Sequence, residues 1–246
     1  MDRLIYTAVS GMADSMIRQG AIASNLANAQ TIGFRAETFD STPVPVRSDD
    51  TLDVRTMVST GVSGADMSAG STVETGRALD VAIAGDALLT VQANDGSEAY
   101  TRRGDLSVSP SGLLVNGDDR PVMGAGGPIT LPPGSNVSIS PDGSVMVADP
   151  ANPDAPATAV DKIKLASWQG SPIVKGQDGL FRVRGGGVLP TDEEAKVQSG
   201  ALEQSNVDVT AILVQMVDAQ RLFDMRTKLI ASAKEIDEAG AGLMRI

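Results

Sequence analysis

The sequence predicts an α+β protein in which two terminal helices pair as a coiled-coil-like domain and an antiparallel all-β domain is inserted between them. Three observations predict this. All 13 prolines fall between Pro43 and Pro190, and proline breaks helices, so only the flanks are free to be long helices. Both flanks carry apolar residues at helical spacing. Between about 70 and 190 the apolar residues alternate or cluster in short runs, separated by Gly-containing turn pairs, as in hairpin-linked strands.

The N-terminal segment, 1–30, reads as one helix over roughly 3–28. Ile5, Val9, Met12, Met16, Gln19, Ala23 and Leu26 follow a 4-3 spacing, the seam of a coiled coil. Residues 31–70 are polar and weakly patterned and read as an extended connector. Residues 71–190 hold the strand-like runs "DVAIAG", "LLTVQA", "LSVSPSGLLVNG", "VSISPDGSVMVA", "IKLASW" and "GLFRVR". The turn pairs are Asp95-Gly96, Ser111-Gly112, Asn116-Gly117, Asp142-Gly143 and Asp178-Gly179. Residues 191–246 are a second connector and a helix over roughly 206–239, with Ser205 or Asn206 as N-cap, Asp208 in the first turn and Gly240 as stop. One apolar row of that helix includes Ile212, Met216, Phe223 and Ile230; a second includes Leu222, Met225, Leu229 and Ile236. Two rows predict contacts on more than one side.

Composition excludes several functions. The net charge of −11 argues against nucleic acid and anionic membrane surfaces as partners. With no cysteine and no histidine, disulfides, thiolate metal sites, Ser-His-Asp mechanisms and HExxH zinc sites are ruled out. No signal peptide or membrane-inserting run is expected, because Thr7, Ser10, Gly11, Asp14 and Arg18 interrupt the first apolar stretch. Residues 1–28 are charge-neutral and 201–246 carry −2, so the middle holds −9. Near-neutral, apolar-striped ends suit self-association.

Candidate chemistry is sparse. The Asp-Gly pairs lack the order of a calcium loop. "GAGGP" and "RGGG" lack the Lys-Ser/Thr ending of a phosphate loop. Asp118-Asp119 and Glu193-Glu194 are adjacent acids in polar loops, without the burial that acid–base work needs. No catalytic residue, metal ligand or cofactor is expected.

The stretch "ASNLANAQTIGFR", 23–35, is the most deliberate in the chain. Read locally it is a helix end: Asn28 can take a left-handed conformation, Gly33 permits a further turn, and Phe34 anchors the departing chain. Asn25, one turn earlier, can bond an adjacent chain or the connector's backbone through its amide. Both asparagines are expected to face water in the free subunit and to matter for assembly more than for its stability.

The same stretch resembles the N-terminal signature of the bacterial flagellar axial (rod and hook) proteins through Asn25, Leu26, Ala27, Asn28, Thr31, Gly33 and Phe34. The other end agrees: "SGALEQSNVDVTAILVQMVDAQRLF" resembles the family's C-terminal pattern through Gly200, Leu202, Glu203, Ser205, Asn206, Val207, Gln220, Arg221 and Phe223. "YTRRG", 100–104, resembles a third family segment, whereas Leu88-Leu89 stands where the family often has two aromatics. The resemblance implies a non-enzymatic structural subunit of a tubular polymer, most similar to a proximal-rod member, with distal-rod and hook members as the alternative. It implies like subunits, other rod proteins and the flagellar type III export apparatus as partners. It also implies a basal-body location in the periplasmic space. Two other classes remain open on the residues alone, a peptidoglycan-acting enzyme and a β-rich binding module on a helical stalk.

Overall fold

A computed structural model of the chain describes residues 2–45, 56–132, 134–149 and 156–243. In order the elements are α1 (Asp2–Ala27), β1 (Glu37–Pro45), β2 (Thr56–Ala65), β3 (Thr72–Glu74), β4 (Val81–Ile83), β5 (Ala87–Gln92), β6 (Glu98–Thr101), β7 (Ser107–Val108), β8 (Leu114–Val115), β9 (Asn136–Ile139), β10 (Ser144–Ala148), β11 (Thr158–Lys162), β12 (Leu165–Ser167), β13 (Ile173–Lys175), β14 (Phe181–Val183), β15 (Val197–Ser199), β16 (Ala201–Glu203) and α2 (Val209–Leu243). The class is α+β, as the sequence predicts. The chain divides into two compact units: unit 1 is 1–27, 37–64 and 208–246, and unit 2 is 28–36 and 65–207.

Unit 1 holds both helices and the two-stranded β1–β2 sheet. That sheet replaces much of the extended connector expected over 31–70. Helix α1 ends at Ala27, yet Asn28 is not left-handed: the one non-glycine residue with positive φ among the described residues is Asp119. Helix α2 starts later than expected, because its cap is Asp208 rather than Ser205 or Asn206. The Asp208 carboxylate accepts from Thr210 N (2.8 Å) and Ala211 N (3.2 Å), two of the donors a helix start leaves unpaired. Gly240 does not stop α2, which runs on to Leu243; one glycine costs a helix only about 1 kcal/mol. At ~1.5 Å per residue the helix is roughly 50 Å long.

The two helices meet on the small-residue side of α1. Arg226 of α2 donates to the Gly11 carbonyl and the Ser15 hydroxyl and pairs with Asp14 at 3.0 Å. Gln19 Nε2 donates to Ala219 O. Asp14, Ser15, Ala21, Ile22 and Asn25 are the buried residues of α1 among those described.

Unit 2 is built round a five-stranded sheet in the order β12-β5-β6-β14-β13, with a three-stranded sheet β11-β10-β9 and smaller pairs. Successive side chains of a strand point to opposite faces, and β5 uses this to feed two cores. Leu89 and Val91 enter a large cluster with Leu106, Leu114, Ile129 and Val145. Leu88 enters a second one with Tyr100, Phe181 and Leu189. The leucine pair that stands in place of two aromatics is therefore fully used. The turn pairs at 95–96, 111–112, 142–143 and 178–179 each place glycine at positive φ, from 77° to 84°. At 116–117 Asp119 takes the left-handed position instead. The strands do not stop near 190: β15 pairs with β4, and β16 with β3, so 197–203 completes the unit.

Candidate functional site

The motif segments from the two ends of the chain meet inside unit 2. Glu203 closes β16 opposite Thr72 and turns its carboxylate inward. Oε2 accepts from Arg102 Nε at 2.7 Å and Nη2 at 2.6 Å, a two-pronged pairing. Oε1 accepts from Arg35 Nη2 at 2.8 Å and from Gly70 N at 2.8 Å. The side chains of Arg35, Arg102 and Glu203 are 1%, 3% and 3% exposed. Arg102 follows β6 directly, and its remaining donors reach the carbonyls of Ile83, Gly85 and Ala87 at 2.6–2.8 Å.

Arg35 is held less completely. Nη1 donates to Ser68 O, but Nε is buried without a hydrogen-bond partner. Burial pulls the pKa of Arg35 below its usual value; Glu203 opposes this and the neighbouring Arg102 adds to it. Two buried cations share one anion, so the cluster carries a net positive charge.

Around it residues 28–36 form a short strap. Thr31 Oγ1 donates to Asn28 Oδ1 and Phe34 N to Thr31 O, which fold the strap on itself. Gly33 N donates to Glu203 O at 2.8 Å. Gly33 has φ 65°, and a Cβ there would collide with the Arg102 carbonyl group and lie 2.6 Å from Arg103 N. Only glycine brings the strap this close. The Lys175 ammonium stands over the Phe34 ring, 3.4 Å from its centroid, and donates to Arg35 O. Asn206 uses both ends of its amide: Oδ1 accepts from Ala36 N at 2.7 Å, and Nδ2 donates to Asp66 O and Ser68 O. One side chain thus binds residues 36, 66 and 68 together.

The structure gathers Thr31, Gly33, Phe34, Leu202, Glu203 and Asn206 into this clasp or its strands, with Asn28 at its start. Gly200 has φ 75° and donates to Asp80 O, ending β15. Ser205 Oγ accepts from Val207 N. Asn25 belongs to unit 1, where it does not face water: it is 3% exposed, its Nδ2 donates to Glu37 O at 3.0 Å and its Oδ1 accepts from Glu37 N at 2.7 Å. Its partner is the connector backbone of its own chain. Leu26 is half-buried and Ala27 exposed.

The residues expected to pack the helices are divided. Ile212 is buried, and Met12, Phe223 and Ile230 are half-buried. Val9 is 53% exposed, Met16 63% and Met216 42%. The side chain of Ile5 lies outside the described residues. Sequence reasoning missed Arg35 and Arg102 as site residues, although both stand inside quoted segments, "TIGFR" and "YTRRG". No described helix is long and apolar enough to cross a membrane.

Comparison with known proteins places these segments. The "Flagella basal body rod protein" family matches residues 5–35, the "Flagellar hook protein FlgE/F/G D1 domain" 82–147, and the "Flagellar basal body rod FlgEFG protein C-terminal" 198–243. The flagellar basal-body rod protein FlgF of Salmonella typhimurium is 40% identical, over 96% of this chain and 95% of its own length. The chain belongs to the flagellar basal-body rod protein family. FlgF of Escherichia coli is also 40% identical, over 98% of this chain and 96% of its own. FlgG of Bacillus subtilis is 29% identical over the full length of both. The family is structural, and the chain is a structural protein rather than an enzyme.

The clasp makes a graded prediction. Arg35→Met leaves the Arg102–Glu203 pair neutral and fully bonded, so it should lower the stability of unit 2 by no more than about 1–2 kcal/mol. Urea unfolding followed by Trp168 fluorescence measures this, since Trp168 packs at the edge of the second core.

Proposed function

We propose that this chain is a proximal-rod subunit of the flagellar basal body and that it assembles through α1 and α2 into a tubular, torque-bearing polymer in the periplasmic space. The 40% identity to FlgF of Salmonella typhimurium and Escherichia coli, above the 29% to FlgG of Bacillus subtilis, supports the proximal-rod position. The likeness also supports like subunits and other rod proteins as neighbours, and delivery by the flagellar type III apparatus.

One observation carries the assembly reading: the helices keep apolar faces that stay exposed among the described residues. Val9 and Met16 are two turns apart on one face of α1, away from the side that carries Asp14, Ile22 and Asn25. On α2 the buried row is Ile212 and Ala219, continued by Phe223 and Ile230. Two exposed strips flank it, one with Val209, Leu213, Met216 and Val217, the other with Val214, Met225, Leu229 and Ile236. Apolar surface of this extent marks a contact site. In the polymer the terminal helices of neighbouring subunits cover these faces in a coiled-coil-like packing, and unit 2 stands as a separate β domain.

The test places a charge on each face. Met16→Asp and Leu229→Asp should leave the melting of the purified chain unchanged within about 0.5 kcal/mol, because both side chains are exposed. Cells carrying either variant as their sole copy should fail to complete the rod and to swim. Normal rods in electron micrographs of basal bodies would remove these faces as assembly surfaces.

A further inference from the structure

We propose that residues 28–36 are a latched strap on unit 2, able to open and close as a unit of its own while the β body stays folded. Neither hydrophobic core contains a residue of this segment. Among the described residues, both cores are built from residues 65–207. What ties the strap to the β body is chiefly polar: Gly33 N on Glu203 O, Arg35 on Glu203 and Ser68, Ala36 N on Asn206 Oδ1, and Lys175 on Phe34 and Arg35 O. Its apolar residues Ile32 and Phe34 are half-buried and join neither core. Segments tied by hydrogen bonds, with little apolar burial, open at lower free energy than the core they lie on.

The charges point the same way. Closed, the clasp holds two cations against one carboxylate, with Arg35 Nε unpartnered. Open, it leaves Arg102 and Glu203 as a balanced pair, with Arg102 still bonded to Ile83, Gly85 and Ala87. Arg35 regains water for its whole guanidinium. Opening therefore leaves no uncompensated buried charge behind. The closed state is defined sharply, because Gly33 must lie flat on the Arg102–Arg103 peptide. A sharply defined closed state that carries one excess buried cation, and an open state that relieves it and leaves a balanced ion pair behind, make a latch. The strap carries Asn28, Thr31, Gly33 and Phe34, and opening frees nine residues of chain, Asn28 to Ala36, between α1 and β1.

Amide hydrogen exchange on the full chain at increasing urea tests this. The amides of Gly33 and Ala36 should exchange about 100-fold faster than those of the β5–β6 ladder, yet well below the free-peptide rate, with little dependence on urea. The β5–β6 amides should depend steeply on urea, as whole-unit unfolding requires. Gly33→Ala, which blocks closure by its Cβ and its φ, should bring 28–36 to the free-peptide rate while β5–β6 protection changes less than about tenfold. The proposal is overturned if strap and ladder amides of the unaltered chain share one rate and one urea slope. It is equally overturned if the strap is unprotected from the start, or if Gly33→Ala strips both regions together.

Discussion

Glu203→Leu should cost unit 2 about 3–5 kcal/mol, the usual penalty for removing one member of a buried ion cluster. The carboxylate is the only anion facing Arg35 and Arg102 within hydrogen-bond reach among the described residues, and it also accepts from Gly70 N. Leucine fills part of the volume but leaves two guanidinium groups unpaired and nearly without solvent. Glu203→Gln keeps the shape and one acceptor oxygen, so it should be milder, though still worse than Arg35→Met. The order Glu203→Leu, Glu203→Gln, Arg35→Met, from worst to best, follows from counting charges: the first two leave an excess of two buried cations, the third leaves none. Urea midpoints read from Trp168 fluorescence give the order directly. A Glu203→Leu loss no greater than that of Arg35→Met would mean that the cluster is hydrated and not a buried triad.

The sequence makes the two ends of this cluster legible unequally. Gly33, Glu203 and Asn206 stand out as motif positions, but their physical roles do not. An arginine in a sequence reads as surface, because arginine is almost never fully buried unless paired, and Arg35's partner lies at the far end of the chain. The conflict at Asn206 is similar. A Ser-Asn-x-Asp run ahead of an apolar helix offers three capping residues, and propensity does not choose among them. Tertiary contacts take Asn206 for residues 36, 66 and 68 and leave the cap to Asp208.

Periodicity was informative about faces and silent about partners. The 4-3 row of α1 is mostly apolar, yet Arg226 approaches the Gly11, Asp14 and Ser15 side. Small residues let an arginine reach a helix backbone, and no apolar count registers that. The β body was readable because hairpin glycines and alternation coincide. The β1–β2 sheet was not: "ETFDSTPVP" has two prolines and little alternation, so its sequence resembles a linker.

Asn25→Leu is expected to destabilise unit 1 by roughly 2 kcal/mol, in the free subunit and not in the polymer alone. The amide satisfies both the N–H and the C=O of Glu37, and it does so while 3% exposed. A buried backbone group deprived of its partner costs about 1–3 kcal/mol, and the half-buried position of Glu37 holds each of the two losses near the lower bound. Asn25→Asp keeps the acceptor for Glu37 N but turns an anion towards Glu37 O, so it should recover at most part of the loss. Ser24 donates to the Glu37 carboxylate at 3.1 Å, one more tie between the last turn of α1 and the start of β1. Both helices lie in unit 1, so circular dichroism at 222 nm follows this unit, while Trp168 fluorescence reports on unit 2. The helical transition should fall and the fluorescence transition should hold. If neither moves and swimming is nonetheless lost, Asn25 acts on a neighbouring subunit, and its bonds to Glu37 contribute little. If both fall together, the two units unfold as one and the separation drawn between them fails.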